Sequence, residues 1–173
     1  MNRRQIVKGM AATMGGMLVL PTWASAWNTA SLQGFKSSLP GLEEALLAEI
    51  VETIIPETDT PGAKKLEVHR FVEKIITDCY DQKSRTTFAK GLTTVASLAT
   101  QSYAKPFLSC TPAQRLEVLT TMSKSADADE QNFIRLARSL TIRGYLSSEY
   151  VMTKLMGYEM APGRYLGCVP VKA

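Results

Sequence analysis

Apolar residues recur along this chain at helical spacing. Leu42, Leu46, Ile50 and Ile54 fall four apart, and Ala45, Leu47, Val51 and Ile55 widen the stripe. That pattern predicts a strongly amphipathic helix beginning near Pro40, with Glu43 and Glu44 at the positive end of its dipole, and stopped at Pro56. A second helix is expected over about 66–80, with Val68, Phe71, Val72, Ile75, Ile76 and Cys79 on one face. A third is expected over about 84–103, its inner face carrying Phe88, Leu92, Val95, Ala99 and Tyr103. Pro106 interrupts the pattern. Thr111, Pro112 and Gln114 then give a start signal, a Thr cap with Pro at the first helical position and Gln for a capping box, and Leu116, Leu119 and Met122 continue that helix. Asp127 and Glu130 open the next one, which Phe133, Ile134, Ala137 and Leu140 carry to about Tyr145. Ser147 or Ser148 caps a last helix that Gly157 ends.

Between the first two helices, residues 56–63 hold Pro56, Asp59, Thr60, Pro61 and Gly62, a turn-rich loop that excludes helix and central strand. Asp59 or Thr60 is expected to cap a turn there or the helix that follows. No segment of useful length alternates with strand period. The fold class is therefore all-α: one compact bundle of about six helices, spanning residues 40–173 with an extended tail at 158–173. The tail is rich in turn residues yet holds Tyr158, Tyr165, Leu166, Val169 and Val171, unusual for a free terminus. Either it folds back over its own helices or it lies on a partner, with Tyr165 as an anchor.

The first 26 residues follow another logic. Asn2-Arg3-Arg4-Gln5-Ile6-Val7-Lys8 resembles the twin-arginine translocation (Tat) signature, and Arg3 and Arg4 are its pair. A diluted apolar run from Met10 to Leu20 follows, well short of the roughly 20 residues a membrane span needs. Pro21 breaks it, and Ala24 and Ala26 stand at the spacing a signal peptidase accepts. Residues 1–26 are accordingly expected to be a cleaved export signal, residues 27–39 a linker, and the mature chain to reach the periplasm already folded, without a stable membrane span of its own. The formal charge of +4 leans on Arg3, Arg4 and Lys8, so the mature chain is close to neutral. With no basic run interleaved with aromatics, nucleic acid is not an expected partner.

Chemistry is sparse. The single histidine, His69, has no local nucleophile or orienting partner and reads as solvated or loosely buried. No GxSxG, Walker loop or GxGxxG occurs in the mature chain. Glu43, Glu44, Glu49 and Glu52 read as a solvated helix face. Asp127, Asp129 and Glu130 lack an EF-hand's glycine and terminal glutamate. Catalytic, cofactor-binding and metal-binding residues are therefore not assigned. Met152, Met156 and Met160 recur every four residues. They read as packing, with a Cu(I) site of soft thioethers as the sharper reading. Cys79 sits on an apolar face and reads as a core residue. Cys168 leaves three options open: a bridge to Cys79 or Cys110, a bridge to another chain, or a free thiol.

Three segments carry a resemblance. IIPETDTPGA at residues 54–63 follows an amphipathic helix, GYLSSE at 144–149 is similar to a "GYYTSE" segment, and PGRYLGCVP at 162–170 is similar to a closing "PGxYxGCxP". In order and spacing they resemble the gluconate 2-dehydrogenase subunit 3 family. Leu146 stands where that family often has an aromatic, and residues 64–68 vary a segment often written "AGV". The resemblance implies a small helical subunit without a redox centre of its own, beside a large FAD-containing subunit of the glucose–methanol–choline oxidoreductase class. That partner would oxidise a sugar or sugar acid and pass electrons to a cytochrome c subunit or another acceptor. The small subunit would escort it through the Tat translocase and stabilise it, with Tyr158, Tyr165, Leu166 and Cys168 as the expected partner interface. The rival reading is a free-standing periplasmic helical binding protein, with the methionine row binding copper.

Overall fold

The computed structural model describes Trp27, residues 29–32, Phe35, Ser37 and residues 39–158. The signal residues Arg3, Arg4, Ala24 and Ala26, and Met160, Tyr165, Leu166 and Cys168 of the tail, lie outside the described residues.

Five α-helices make the body: α1 (Gly41–Ile54), α2 (Val68–Cys79), α3 (Gln82–Tyr103), α4 (Pro112–Ser123) and α5 (Ala128–Leu146). A π-helical turn at Val151–Leu155 is the sixth helix, and short 3₁₀ turns occupy Thr29–Leu32 and Phe107–Ser109. There is no strand among the described residues, only an isolated parallel bridge between Trp27 and Ser148. The all-α bundle expected from the apolar periodicity is the fold.

Helices α1, α3 and α5 each pack against all four of the others, so the core lies among them. Leu47, Ile50 and Val51 of α1 meet Val68 and Val72 of α2, Leu92 and Val95 of α3, Met122 of α4 and Phe133 and Leu140 of α5, all fully buried. Phe88 and Phe133 join α3 to α5 with ring centroids 5.1 Å apart. Each such side chain contributes about 1.5–3 kcal/mol by leaving water, which is how stripes of weak intrinsic helix formers become a stable bundle.

Local signals set most of the helix starts. Pro40 lies just before α1 rather than inside its first turn, its carbonyl accepting from the backbone of Glu43 and Glu44. The capping box at Thr111 and Gln114 is formed in both directions. Asp81 caps α3 through the Ser84 N–H, and Asp127 caps α5 through the Asp129 N–H. Ser148 Oγ accepts from the Val151 N–H at 3.4 Å, and Gly157 closes the chain's last described turn at φ 62°.

Several expectations need correction. Helix α2 begins at Val68, not Leu66, because Glu67 sits in the left-handed region at φ 54° and residues 63–67 form a run of turns. Leu42 and Leu116 leave the core side of their helices and are 73% and 57% exposed. Cys79 is exposed at the end of α2, where the chain turns away from the core. The buried cysteine is Cys110, behind the Phe107–Ser109 turn, and the two are not joined to each other.

In the stretch 27–39, read from the sequence as a linker, Trp27, Leu32, Phe35, Ser37 and Leu39 are engaged with the helical body. Trp27 stacks on Phe71 at 5.1 Å and 23°, its Nε1–H donates to the Gly144 carbonyl at 2.8 Å, and its own carbonyl accepts from Glu149 N–H at 3.0 Å. Leu32 is buried, Lys74 lies over the Phe35 ring, and Glu73 accepts from Ser37 Oγ and the Leu39 N–H. The reason is the outer edge of α2: Phe71, Glu73 and Lys74 offer a ring, a carboxylate and a cation that need partners, and this segment supplies them. Glu73 itself is buried, which a carboxylate tolerates only when hydrogen-bonded.

Candidate docking surface

Two of the segments singled out in the sequence come together in the fold. Tyr145 Oη donates to the Pro61 carbonyl at 3.0 Å and lies 3.4 Å from Thr60 Oγ1, so the loop at 56–63 is tied to the end of α5. At the next residue back, Gly144 receives Trp27. A side chain there has no room: a Cβ on Gly144 would stand 2.6 Å from Phe71 Cδ1. Residues 144–149 are thus the point where α5, the loop and the start of the described chain are held together.

The loop itself is shaped by a residue the sequence reading set aside. The Glu52 carboxylate accepts from the backbone N–H of Glu57 and of Lys64, both at 2.9 Å, bracketing the loop from inside. Gly62 permits this, because a Cβ would lie 2.6 Å from both Glu52 oxygens. Pro56 and Asp59 are exposed. Asp59 is not the capping group; Thr60 bonds through its carbonyl to the Thr58 N–H.

Glu49 is also tied down. It pairs with Lys64 at 2.5 Å and with Arg115. Burial alone would raise its pKa, but the two cations prevail and hold it below the ordinary carboxylate value. Arg115 also donates to the carbonyls of Phe107 and Leu108, fixing the turn before α4. The solvated face expected for Glu43, Glu44, Glu49 and Glu52 is therefore half a structural one. His69 lies in the same region, 3.9 Å from Glu44, with its Nδ1 buried and unbonded. Burial pushes its pKa below the ordinary value, against the opposing pull of Glu44. No grouping of three or more His, Cys, Asp or Glu side chains occurs among the described residues at metal-binding distance.

An open surface feature lies on the far side of α5. A groove of about 1040 Å³ runs along this helix to the π-helical turn. Its floor is apolar, formed by Ile134, Ile142, Leu146, Met152 and Met156, and Arg135, Arg138 and Arg143 stand along it. Ile142, Leu146 and Met156 are 38, 50 and 65% exposed, and Leu155 and Tyr158, nearby in the chain, are exposed too. The opposite face of α5 carries the core residues Phe133, Ala137, Leu140 and Tyr145, so this helix is apolar on two sides. Open apolar surface rimmed by charged side chains is the kind of face to which other proteins bind. The wider spacing of the π turn, with Met156 N–H reaching Val151 O, places Met152 and Met156 together at the groove's end. Of the expected interface residues, Tyr158 is the one described, exposed beside this groove with its N–H on the Met152 carbonyl.

Sequence reasoning missed Trp27, Glu52, Arg115 and the groove. The groove had a signal: Ile134, Ile142 and Leu146 fall outside the arc of Phe133, Ala137 and Leu140, and one helix does not need both sets for one core.

No helix among the described residues is long and apolar enough to cross a membrane. No curated protein and no solved structure matches the chain. The family model for gluconate 2-dehydrogenase subunit 3 matches residues 42–163, which takes in α1 to α5, the loop at 56–63, the hub at 144–149 and the groove, and the chain belongs to that family.

Proposed function

We propose that this chain is the non-catalytic small subunit of a periplasmic FAD-dependent dehydrogenase acting on a sugar or sugar acid, and that it escorts the large subunit through the Tat pathway and stabilises it. The observation that carries this reading is membership of the subunit 3 family over the whole helical body. The twin-arginine motif at Arg3 and Arg4 supports the export role. A flavoprotein that must keep its cofactor has to cross folded, and a chain threaded unfolded would lose it. A signal on a small partner that binds the folded large subunit solves that problem without a second signal. The large subunit, of the glucose–methanol–choline class, would hold FAD and substrate and pass electrons to a cytochrome c subunit or another acceptor.

The test is affinity capture of the tagged chain from periplasm, with the eluate read for flavin absorbance and for oxidation of sugars and sugar acids with an artificial electron acceptor. A stoichiometric flavin spectrum and dehydrogenase activity are the expected result. An eluate holding this chain alone would overturn the reading in favour of a free-standing periplasmic protein.

A further inference from the structure

The groove on α5 has a chemistry that selects its occupant. Its charged lining residues are Arg135, Arg138 and Arg143, with no carboxylate among them. Arg135 donates to Asn132 Oδ1, and Arg138 and Arg143 form no ion pair among the described residues. Guanidiniums left unpaired beside an apolar floor make a strong site for carboxylates, because they can be bound bidentately and partly out of water.

The groove also has a regular surface. Ile134, Arg138, Ile142 and Leu146 lie four apart, and Arg135, Ser139, Arg143 and Ser147 form the neighbouring row. Rows at four-residue spacing are the ridges into which another helix packs. From Ile134 to Leu146 the stripe is about 18 Å long, room for about three turns of a partner helix.

Resting on the reading of this chain as a dehydrogenase subunit, the geometry points to an acidic amphipathic helix of the large flavoprotein subunit as the occupant. Its apolar residues, three and four apart, lie on Ile134, Ile142, Leu146 and Met152, and its Asp and Glu side chains pair with Arg135, Arg138 and Arg143. The chain's own residues 159–173 do not match this lining, since they bring Arg164 and Lys172 against one acidic side chain, Glu159. A second copy meeting the same face about a twofold axis would set arginines against arginines.

The experiment compares the co-expressed complex of the wild-type chain with the Arg138→Glu/Arg143→Glu and Ile142→Asp variants. Lys90→Glu, on an exposed position of α3, is the control. Both groove variants are expected to weaken retention of the flavoprotein at least tenfold at low salt, with the helical signal and melting temperature of the isolated chain unchanged and Lys90→Glu without effect. Wild-type retention falls with rising salt. Hydrogen exchange on the wild-type complex should show protection at residues 131–147 and in an acidic helical segment of the flavoprotein. Groove variants that keep the flavoprotein as the wild type does overturn the assignment while leaving the proposed function intact. Equal protection of residues 131–147 in the isolated chain assigns the groove to its own tail, or to a second copy if it deepens with concentration, and overturns the assignment too. A wild-type chain that retains no flavoprotein overturns the function and this inference together.

Discussion

Arg115 ties two parts of the chain together: it pairs with Glu49 on α1, and in the turn before α4 it donates to the carbonyls of Phe107 and Leu108 and lies over the Phe107 ring. Its side chain is 14% exposed. Arg115→Leu strands a mostly buried Glu49 beside Lys64 alone and frees two carbonyls, so a loss of about 2 kcal/mol is expected, read as a lower melting temperature. Two groups here also set an acid limit. His69 has a folded pKa below its ordinary 6.5, so the folded state favours the neutral ring. Its contribution to stability is complete above pH 6.5 and declines as pH falls from there toward the folded value. Glu49, depressed below 4.5, contributes above that pH and loses its contribution as pH falls through the folded value. Denaturant midpoints measured from pH 7.5 to 5 should fall, and the decline between pH 6.5 and 5.5 should be shallower in His69→Gln. A midpoint that rises on acidification would contradict this. None of these roles was legible in the sequence. Periodicity shows which side of a helix faces the core, not which loop folds over its other side, and so Glu49 and Glu52 read as solvated.

Among the elements, the loop at 56–63 separates two explanations of its own shape. The sequence pointed to Asp59 or Thr60 as the cap; the fold gives the work to Glu52, which reaches two backbone N–H groups only because Gly62 has no side chain. Glu52→Ala should cost about 1.5 kcal/mol, the lower end for bonds to a charged group because the site is exposed, and Asp59→Ala should leave the melting temperature unchanged. The reverse order would restore the sequence-based view. The segment leading into α1 makes a parallel case. Trp27→Ala removes a stacked ring and a hydrogen bond to Gly144, an expected loss of about 2–3 kcal/mol in thermal unfolding. A true linker residue would cost nothing. The helices themselves were readable, since caps and apolar spacing are local: the box at Thr111 and Gln114 is formed as the motif requires. What local patterns missed are positions decided by neighbours, such as Leu42, Leu116 and the exposed Cys79.

At the scale of the molecule, composition and period were enough to give an all-helical body, and three short motifs were enough to give the family. The arrangement was not legible: nothing local says that α1, α3 and α5 lie at the centre, or that α5 turns a second apolar face outward beside three arginines. That second face is what a subunit requires and a self-sufficient domain does not. The central claim is that this chain carries another protein out of the cytoplasm. It is tested most directly by fractionating cells that express the Arg3→Lys/Arg4→Lys chain and assaying the flavoprotein subunit in each compartment. The account predicts that both proteins remain in the cytoplasm, with periplasmic flavin-dependent dehydrogenase activity lost. A flavoprotein that still reaches the periplasm when this chain is held back would contradict it.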